Sequence, residues 1–272
     1  MSDNSPRPLA LITGASSGIG AEFARSLAKR GCDLILVARR EDKLRKLADD
    51  IHQDCDAAIE IFPADLADDN QRHAVADRIR QTGGLEYLVN NAGFGTKERF
   101  WQADFASQDI MARLHVLAVM ELCHAALGDM VKKGGGNIIN TASVAGFFQS
   151  PSNVVYCSTK AWIISFTEGL AFELVGSGVN VQALCPGYTL SEFHDVMQIS
   201  RDGIPKSWWL PANVVVHDSL AALARRKLVC VPGLWRYKLL IAISPFLPRW
   251  LKYRVAAARH KRVIKTGKPI MM

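Results

Sequence analysis

Tyr156 and Lys160 stand four residues apart in Tyr156-Cys157-Ser158-Thr159-Lys160. Residues four apart share one helical face, so a helix here points a phenol and an ammonium at the same place. Tyrosine titrates near 10 in water, and a neighbouring positive charge favours the phenolate, which brings the group toward a useful acid/base range. Ser143 lies 13 positions upstream, just past the apolar run Asn137–Thr141. In a parallel sheet that strand end is the ligand-binding edge. No metal is expected. The six cysteines (Cys32, Cys55, Cys123, Cys157, Cys185, Cys230) include no Cys-x-x-Cys pair, and several lie in apolar runs. They read as buried reduced thiols, which points to a reducing cytoplasm.

A second cluster is rich in glycine. Thr13-Gly14-Ala15-Ser16-Ser17-Gly18-Ile19-Gly20 follows the first apolar run, Leu9–Thr13, and opens a helix-like stretch. Gly14, Gly18 and Gly20 let the backbone turn tightly and approach a pyrophosphate, and a helix N-terminus offers that anion free N–H groups. The spacing is G-x-x-x-G-x-G rather than the commoner G-x-G-x-x-G. After the second run, Asp33–Val37, an acidic residue would hydrogen-bond the ribose 2′-hydroxyl of NAD, and an Arg would accommodate a 2′-phosphate. The chain has Val37-Ala38-Arg39-Arg40 with no carboxylate before Glu41. Arg39 can grip a phosphate through two parallel charge-assisted bonds, so NADP(H) is expected over NAD(H). A solvated surface charge is the alternative for Arg39.

Thr13–Gly20, Asn90-Asn91-Ala92-Gly93, Ser143, Tyr156-x-x-x-Lys160 and Pro186-Gly187 together resemble the motif set of the short-chain dehydrogenase/reductase family, in order and spacing. The resemblance covers roughly residues 8–190, with a less specific match to about 232, and Val37–Leu44 looks like the NADP-preferring branch. It implies an oxidoreductase that interconverts a carbonyl and an alcohol. In reduction the cofactor would deliver hydride, Tyr156 would donate the proton and Ser143 would hold the substrate oxygen. Lys160 and Tyr156 would also meet the nicotinamide ribose. The resemblance puts Gly14, Ser16, Ser17, Gly18, Ile19 and Gly20 at the pyrophosphate, and Asp65 with Leu66 near the adenine. It puts Asn91, Ala92 and Gly93 along the cofactor, and Pro186, Gly187 and Thr189 at its nicotinamide end. Family members form dimers or tetramers through two long helices, so a homo-oligomer is implied.

One position departs from the family. Its first long helix carries an Asn as a fourth catalytic member, and Arg113-Leu114-His115-Val116-Leu117 puts His115 there. The family's Asn supports a water-linked proton path to the lysine, partly through its backbone carbonyl. A His can keep that role, add a second titrating group, weaken catalysis, or serve only the structure.

These residues need a frame. Leu9–Thr13, Asp33–Val37, Ala58–Phe62, Tyr87–Asn90, Asn137–Thr141, Asn180–Leu184 and Leu228–Val231 read as short strands buried on both faces. Helix-length stretches separate them: Glu41–His52, Asn70–Gln81, Ser107–Lys132, Asn153–Val175 and Pro211–Ala224. The alternation predicts an α/β fold, a single-domain Rossmann-like doubly wound parallel sheet with helices on both faces. Its strand C-termini form one ligand-binding edge. The catalytic and cofactor-binding domain is expected over residues 1–232, followed by a C-terminal basic/apolar extension over 233–272. No apolar run reaches the length of a membrane span, and the polar Met1–Pro8 does not read as a secretory signal.

Phe94, Phe147, Phe148, Tyr188, Phe193, Trp208 and Trp209 are candidate substrate walls, with the core as the alternative for each. Little charge accompanies them, so a small apolar ketone, aldehyde or alcohol is expected. By resemblance, Tyr188 to Trp209 would be the substrate lid. The extension carries 13 Lys and Arg between Arg225 and Lys268 and no acid after Asp218. Residues 236–262 mix these bases with Leu, Ile, Phe and Trp. Such a segment can lie peripherally on the inner face of a membrane, or pack over the pocket or a second subunit. No nucleic-acid motif accompanies the bases. A rival to the enzyme is an NADPH-binding sensor or scaffold with little turnover, favoured only by His115.

Overall fold

In a computed structural model, residues 7–96, 98–190, 205–233 and 235–243 are described, with isolated positions up to 257. Seven parallel strands form one sheet in the order β3-β2-β1-β4-β5-β6-β9. They are β1 Leu9–Thr13, β2 Asp33–Ala38, β3 Ile59–Pro63, β4 Tyr87–Asn90, β5 Gly136–Thr141, β6 Val179–Leu184 and β9 Val229–Cys230. The order reverses between β1 and β4, the switch point where such sheets bind ligands.

Burial on both faces explains the unbroken apolar runs. In β1, Ala10 and Ile12 join one core with α1 (Gly18–Ala28) and α7 (Ala212–Ala224), while Leu11 joins the other with α3 (Asp69–Arg80) and α5 (Ala118–Lys133). Each fully buried Leu or Ile contributes about 1.5–3 kcal/mol of transfer free energy. The remaining helices are α2 Glu41–His52, α4 Phe105–Ala112, α6 Val154–Glu173 and α8 Trp235–Ile243. Asp68 caps α3 by accepting from the Gln71 amide, and Gly134 ends α5 in the left-handed region at φ 72°.

The first long helix differs from its expected continuous form. A π-turn over Arg113–Leu117 joins α4 to α5, as at many functional sites. By length and composition Phe105–Lys133 is apolar enough to cross a membrane, although charged residues such as Arg113, Glu121 and Asp129 interrupt its apolar runs. Met111, His115, Ala118, Val119, Leu122, Cys123 and Met130 bury one face of it inside the fold, the situation of a core helix. A two-residue parallel ladder completes the architecture: β7 Thr189–Leu190 pairs with β8 Leu210–Pro211.

Candidate active site

The turn after β1 is shaped by close approach. A methyl group at Gly20 would stand 2.3 Å from the Gly14 carbonyl oxygen, and one at Gly14 would stand 2.9 Å from Ala92 Cα. Neither position admits a side chain, so this glycine cradle closes tightly on itself and against Asn91 and Ala92. Ser17, the N-cap of α1, makes no side-chain cap bond, so the amides of the first turn remain available to an anion. Thr13 locks this turn to the end of β4. Its Oγ1 accepts from the Asn91 and Ala92 amides at 2.9 and 3.0 Å and donates to Val89 O at 3.3 Å. Asn91 Nδ2 donates back to Thr13 O at 3.1 Å. Asn91 and Ala92 are therefore held against the glycine turn.

At the end of β2 the two arginines divide. Arg39 Nη1 lies 3.7 Å from Asp65 Oδ2, both side chains well exposed. Arg40, not singled out from the sequence, closes over the glycine turn: its Nη2 donates to Ser16 Oγ at 3.0 Å and to Ser17 Oγ at 3.2 Å. Asp65 Oδ1 accepts from the Ala67 amide at 3.0 Å. Leu66 and Ile19 turn their side chains to the core, which leaves their main chains as the groups able to face a ligand.

Ser143 caps a short 3-10 turn, Val144–Phe147, its Oγ accepting from the Ala145 amide at 3.1 Å. Its hydroxyl donates to Pro186 O at 3.5 Å, and hydrogen bonding from the same side chain favours the Tyr156 phenolate. Lys160, one helical turn along α6, is 4% exposed. Its Nζ donates to Thr141 O at 2.8 Å and lies 5.8 Å from the centre of the Tyr156 ring. β5 thus delivers Ser143, and α6 delivers the other two to the same strand edge. The Tyr156 pKa differs from expectation. Burial pushes the phenol up to about 12, although the Ser143 hydrogen bond opposes it. Burial also brings the Lys160 ammonium down to about 7. Desolvation is the largest effect at both groups, and it favours the neutral form of each.

His115 is fully buried. Its Nε2 accepts from the Phe94 amide at 3.3 Å, which makes Nδ1 the protonated nitrogen. Nδ1 stands 2.9 Å from Thr159 Oγ1, whose hydroxyl donates to Tyr156 O at 3.0 Å. Burial, with the Lys160 charge beside it, holds the imidazole well below its ordinary range. The ring is therefore a neutral strut between the Gly93–Phe94 loop and α6. It stands edge-on to Tyr156 with centroids 5.9 Å apart. Both ring nitrogens are engaged, so the arrangement favours a structural part for this ring over a second titrating group.

The family model for short chain dehydrogenases matches residues 8–200. The chain belongs to the short-chain dehydrogenase/reductase family. It is similar to the ketoacyl reductase HetN of a Nostoc species, 35% identical over 65% of this chain and 62% of that one. The match therefore spans less than two thirds of HetN. An uncharacterised oxidoreductase of Staphylococcus aureus is 32% identical over 66% of this chain and 77% of its own. Among solved structures, a short-chain dehydrogenase from Sphingobium yanoikuyae in complex with NADPH is 30% identical at a TM-score of 0.79. That likeness covers 97% of this chain and 98% of that one. The bulky-bulky ketone specific alcohol dehydrogenase from Comamonas testosteroni is 32% identical at a TM-score of 0.77, over 87% of this chain and 91% of that one.

Family membership makes the chain an oxidoreductase of a nicotinamide dinucleotide, and the glycine cradle fits that group. The nicotinamide-end residues continue from β6. Val144 N donates to Pro186 O at 3.1 Å, and Thr189 Oγ1 to Gly187 O at 3.2 Å. Of the expected substrate walls, Phe94 and Phe148 are half-buried on their loops. Phe147 packs against the core beneath α6 and is better read as core. Tyr188 and Trp209 face each other at 5.4 Å between centroids. Phe193 and most of the expected lid lie outside the described residues. Trp208 contacts a residue the sequence reading passed over, Tyr237 of α8.

Proposed function

We propose that this family member is an NADP(H)-dependent oxidoreductase interconverting a small apolar ketone or aldehyde and its alcohol. One observation carries the reading: Lys160 Nζ, held by Thr141 O at the end of β5, lies 5.8 Å from the Tyr156 ring, beside Ser143 and on the sheet edge of the glycine cradle. Arg40 over Ser16 and Ser17, with Arg39 beside it, supports a 2′-phosphate as the extra group recognised. The NADPH-bound relative supports the same choice. The ketone-specific relative and the aromatic wall of Tyr188 and Trp209 support an apolar carbonyl.

The chain's own part is positioning and proton transfer. Tyr156, its pKa raised to about 12, is protonated at neutral pH and donates to the carbonyl oxygen in reduction. Ser143 holds that oxygen by a hydrogen bond. Lys160, at about 7, can take or give a proton near neutrality, and its contact with Thr141 O fixes it beside the phenol. When bound, the nicotinamide supplies or accepts the hydride. The test follows NADPH oxidation against a panel of apolar ketones and aldehydes, for wild type and Tyr156→Phe. Turnover that falls by about 10²- to 10⁴-fold in the variant supports the reading. Tight NADPH binding with no turnover on the panel would favour the sensor or scaffold instead.

A peripheral membrane contact is a second part of the proposal. Trp235, Leu239 and Ile243 recur every four residues on α8 and are 65%, 48% and 45% exposed, with Phe246 and Trp250 exposed beyond. Arg236 and Lys238 flank that stripe in a segment without acids. An apolar stripe bordered by bases suits an anionic bilayer surface. Sedimentation with anionic vesicles at low salt should carry the protein down, and failure to do so rejects the contact. A reducing, cytoplasmic setting accords with the six free thiols. Exposed Leu117, Met120 and Val131 on the first long helix and Val154 and Phe172 on α6 support pairing between copies of the chain.

A further inference from the structure

Tyr237 is the anchor of α8. It is 2% exposed, while the neighbouring Trp235 and Leu239 stand in solvent. The edge of its ring lies on Gly187. A methyl group at that glycine would stand 2.4 Å from Tyr237 Cε2, 2.6 Å from Cζ and 2.9 Å from Oη. Any side chain at 187 would expel the ring. The phenol donates to Trp208 O at 3.4 Å. The Trp208 indole meets the Tyr237 ring edge-on, with centroids 5.1 Å apart and planes at 81°. Tyr188 and Trp208 flank the β7–β8 ladder, where the Leu210 amide donates to Tyr188 O at 2.9 Å. The Tyr237 hydroxyl thus holds the Trp208 side of that ladder, and its ring lies on Gly187 at the start of the other side.

We propose that Tyr237 is a positioning residue: it clasps the β7–β8 ladder onto Gly187 and so sets the nicotinamide end of the cofactor site and the Tyr188–Trp209 wall beside it. The inference rests on the nicotinamide-dinucleotide reading above. A two-residue ladder has little stability of its own. A buried tyrosine supplies what it lacks, a large rigid contact area and a polar tip that must find partners. Burial pushes the Tyr237 phenol up to about 12, so it stays a neutral donor across the working pH range. The extension is thereby part of the active site through this one side chain.

The test uses the full chain and two probes, NADPH and 2′-phospho-ADP-ribose, which lacks the nicotinamide. Calorimetry should show Tyr237→Ala weakening NADPH about fivefold, the size of one lost hydrogen bond, with 2′-phospho-ADP-ribose within about twofold. Unchanged NADPH affinity overturns the clasp. Equal weakening of both probes also overturns it, because a general loss of structure would do that. Tyr237→Phe keeps the ring and removes only the hydroxyl ties, and it covers the case in which the Ala variant does not fold. Hydrogen exchange at the Leu210 amide should quicken about threefold or more in it, and an unchanged rate overturns the proposal. Should wild type bind NADH but not NADPH, the cofactor choice fails instead. NADH against ADP-ribose then decides the clasp by the same ratio.

Discussion

Lys160→Met should stabilise the ligand-free protein while abolishing turnover. Lys160 is 4% exposed, and the one hydrogen bond described for its ammonium goes to Thr141 O. Its pKa falls from an ordinary 10.5 to about 7. Each unit is worth about 1.36 kcal/mol, so at pH 7 the burden on the fold is at most on the order of 4 kcal/mol. Methionine keeps the apolar stem and leaves the Thr141 carbonyl short of a donor, which returns about 1–2 kcal/mol. A net gain of about 2 kcal/mol remains, or a urea midpoint higher by about 0.5–1 M. The sign depends on pH. Between about 7 and 10.5 the unfolded chain binds more protons at this site than the folded chain, so wild-type stability rises with pH through that window. The variant lacks this titration. The gap should therefore be largest at pH 7 and close toward pH 10. Urea unfolding of both proteins at the two pH values measures it. A variant less stable at pH 7, or a gap of equal size at both, would refute the reasoning.

Two other substitutions probe the site. His115→Asn should leave the pH–rate profile in place and lower stability by about 1–2 kcal/mol, because the imidazole is a neutral strut between Phe94 and Thr159. A profile that moves would return His115 to the proton path. Arg40→Ala should weaken NADPH about tenfold while NADH stays within about twofold, read by fluorescence titration. Equal losses for the two cofactors would remove Arg40 from 2′-phosphate recognition.

All seven expected strands agree with the structure to within one residue at either end, because a strand of a covered parallel sheet writes itself as a short apolar run. β1 and β4 agree to the residue. The π-turn at Arg113–Leu117 was not legible, since it shifts the hydrogen-bond register without a compositional mark. Ser143, Tyr156 and Lys160 were legible because a strand end and a helical repeat fix their positions locally. Arg40 was hidden by its neighbour: adjacent side chains at the end of a strand leave in different directions, and only the backbone at the N-cap of α2 decides which one covers the turn. Tyr237 was hidden by distance. It meets Gly187 across 50 positions of sequence, through a contact no periodicity reports.

Two glycines of the motif set show how the chain has used the space they leave. A methyl group at Gly93 would stand 2.7 Å from His115 Nε2, and one at Gly187 would stand 2.4 Å from Tyr237 Cε2. Both glycines were read as cofactor contacts, which is a claim about backbone exposed to a ligand. In each case the direction a Cβ would take is filled by a side chain of this protein. These two fillings brace different segments of the site. His115 braces the Gly93–Phe94 loop against the helix that carries Tyr156, and Tyr237 braces the Pro186-Gly187 corner against the ladder that carries Tyr188. The geometry of the cleft is therefore coupled to two positions outside the Ser143, Tyr156 and Lys160 core, and substitution at either should be felt first in how the cleft holds its ligands.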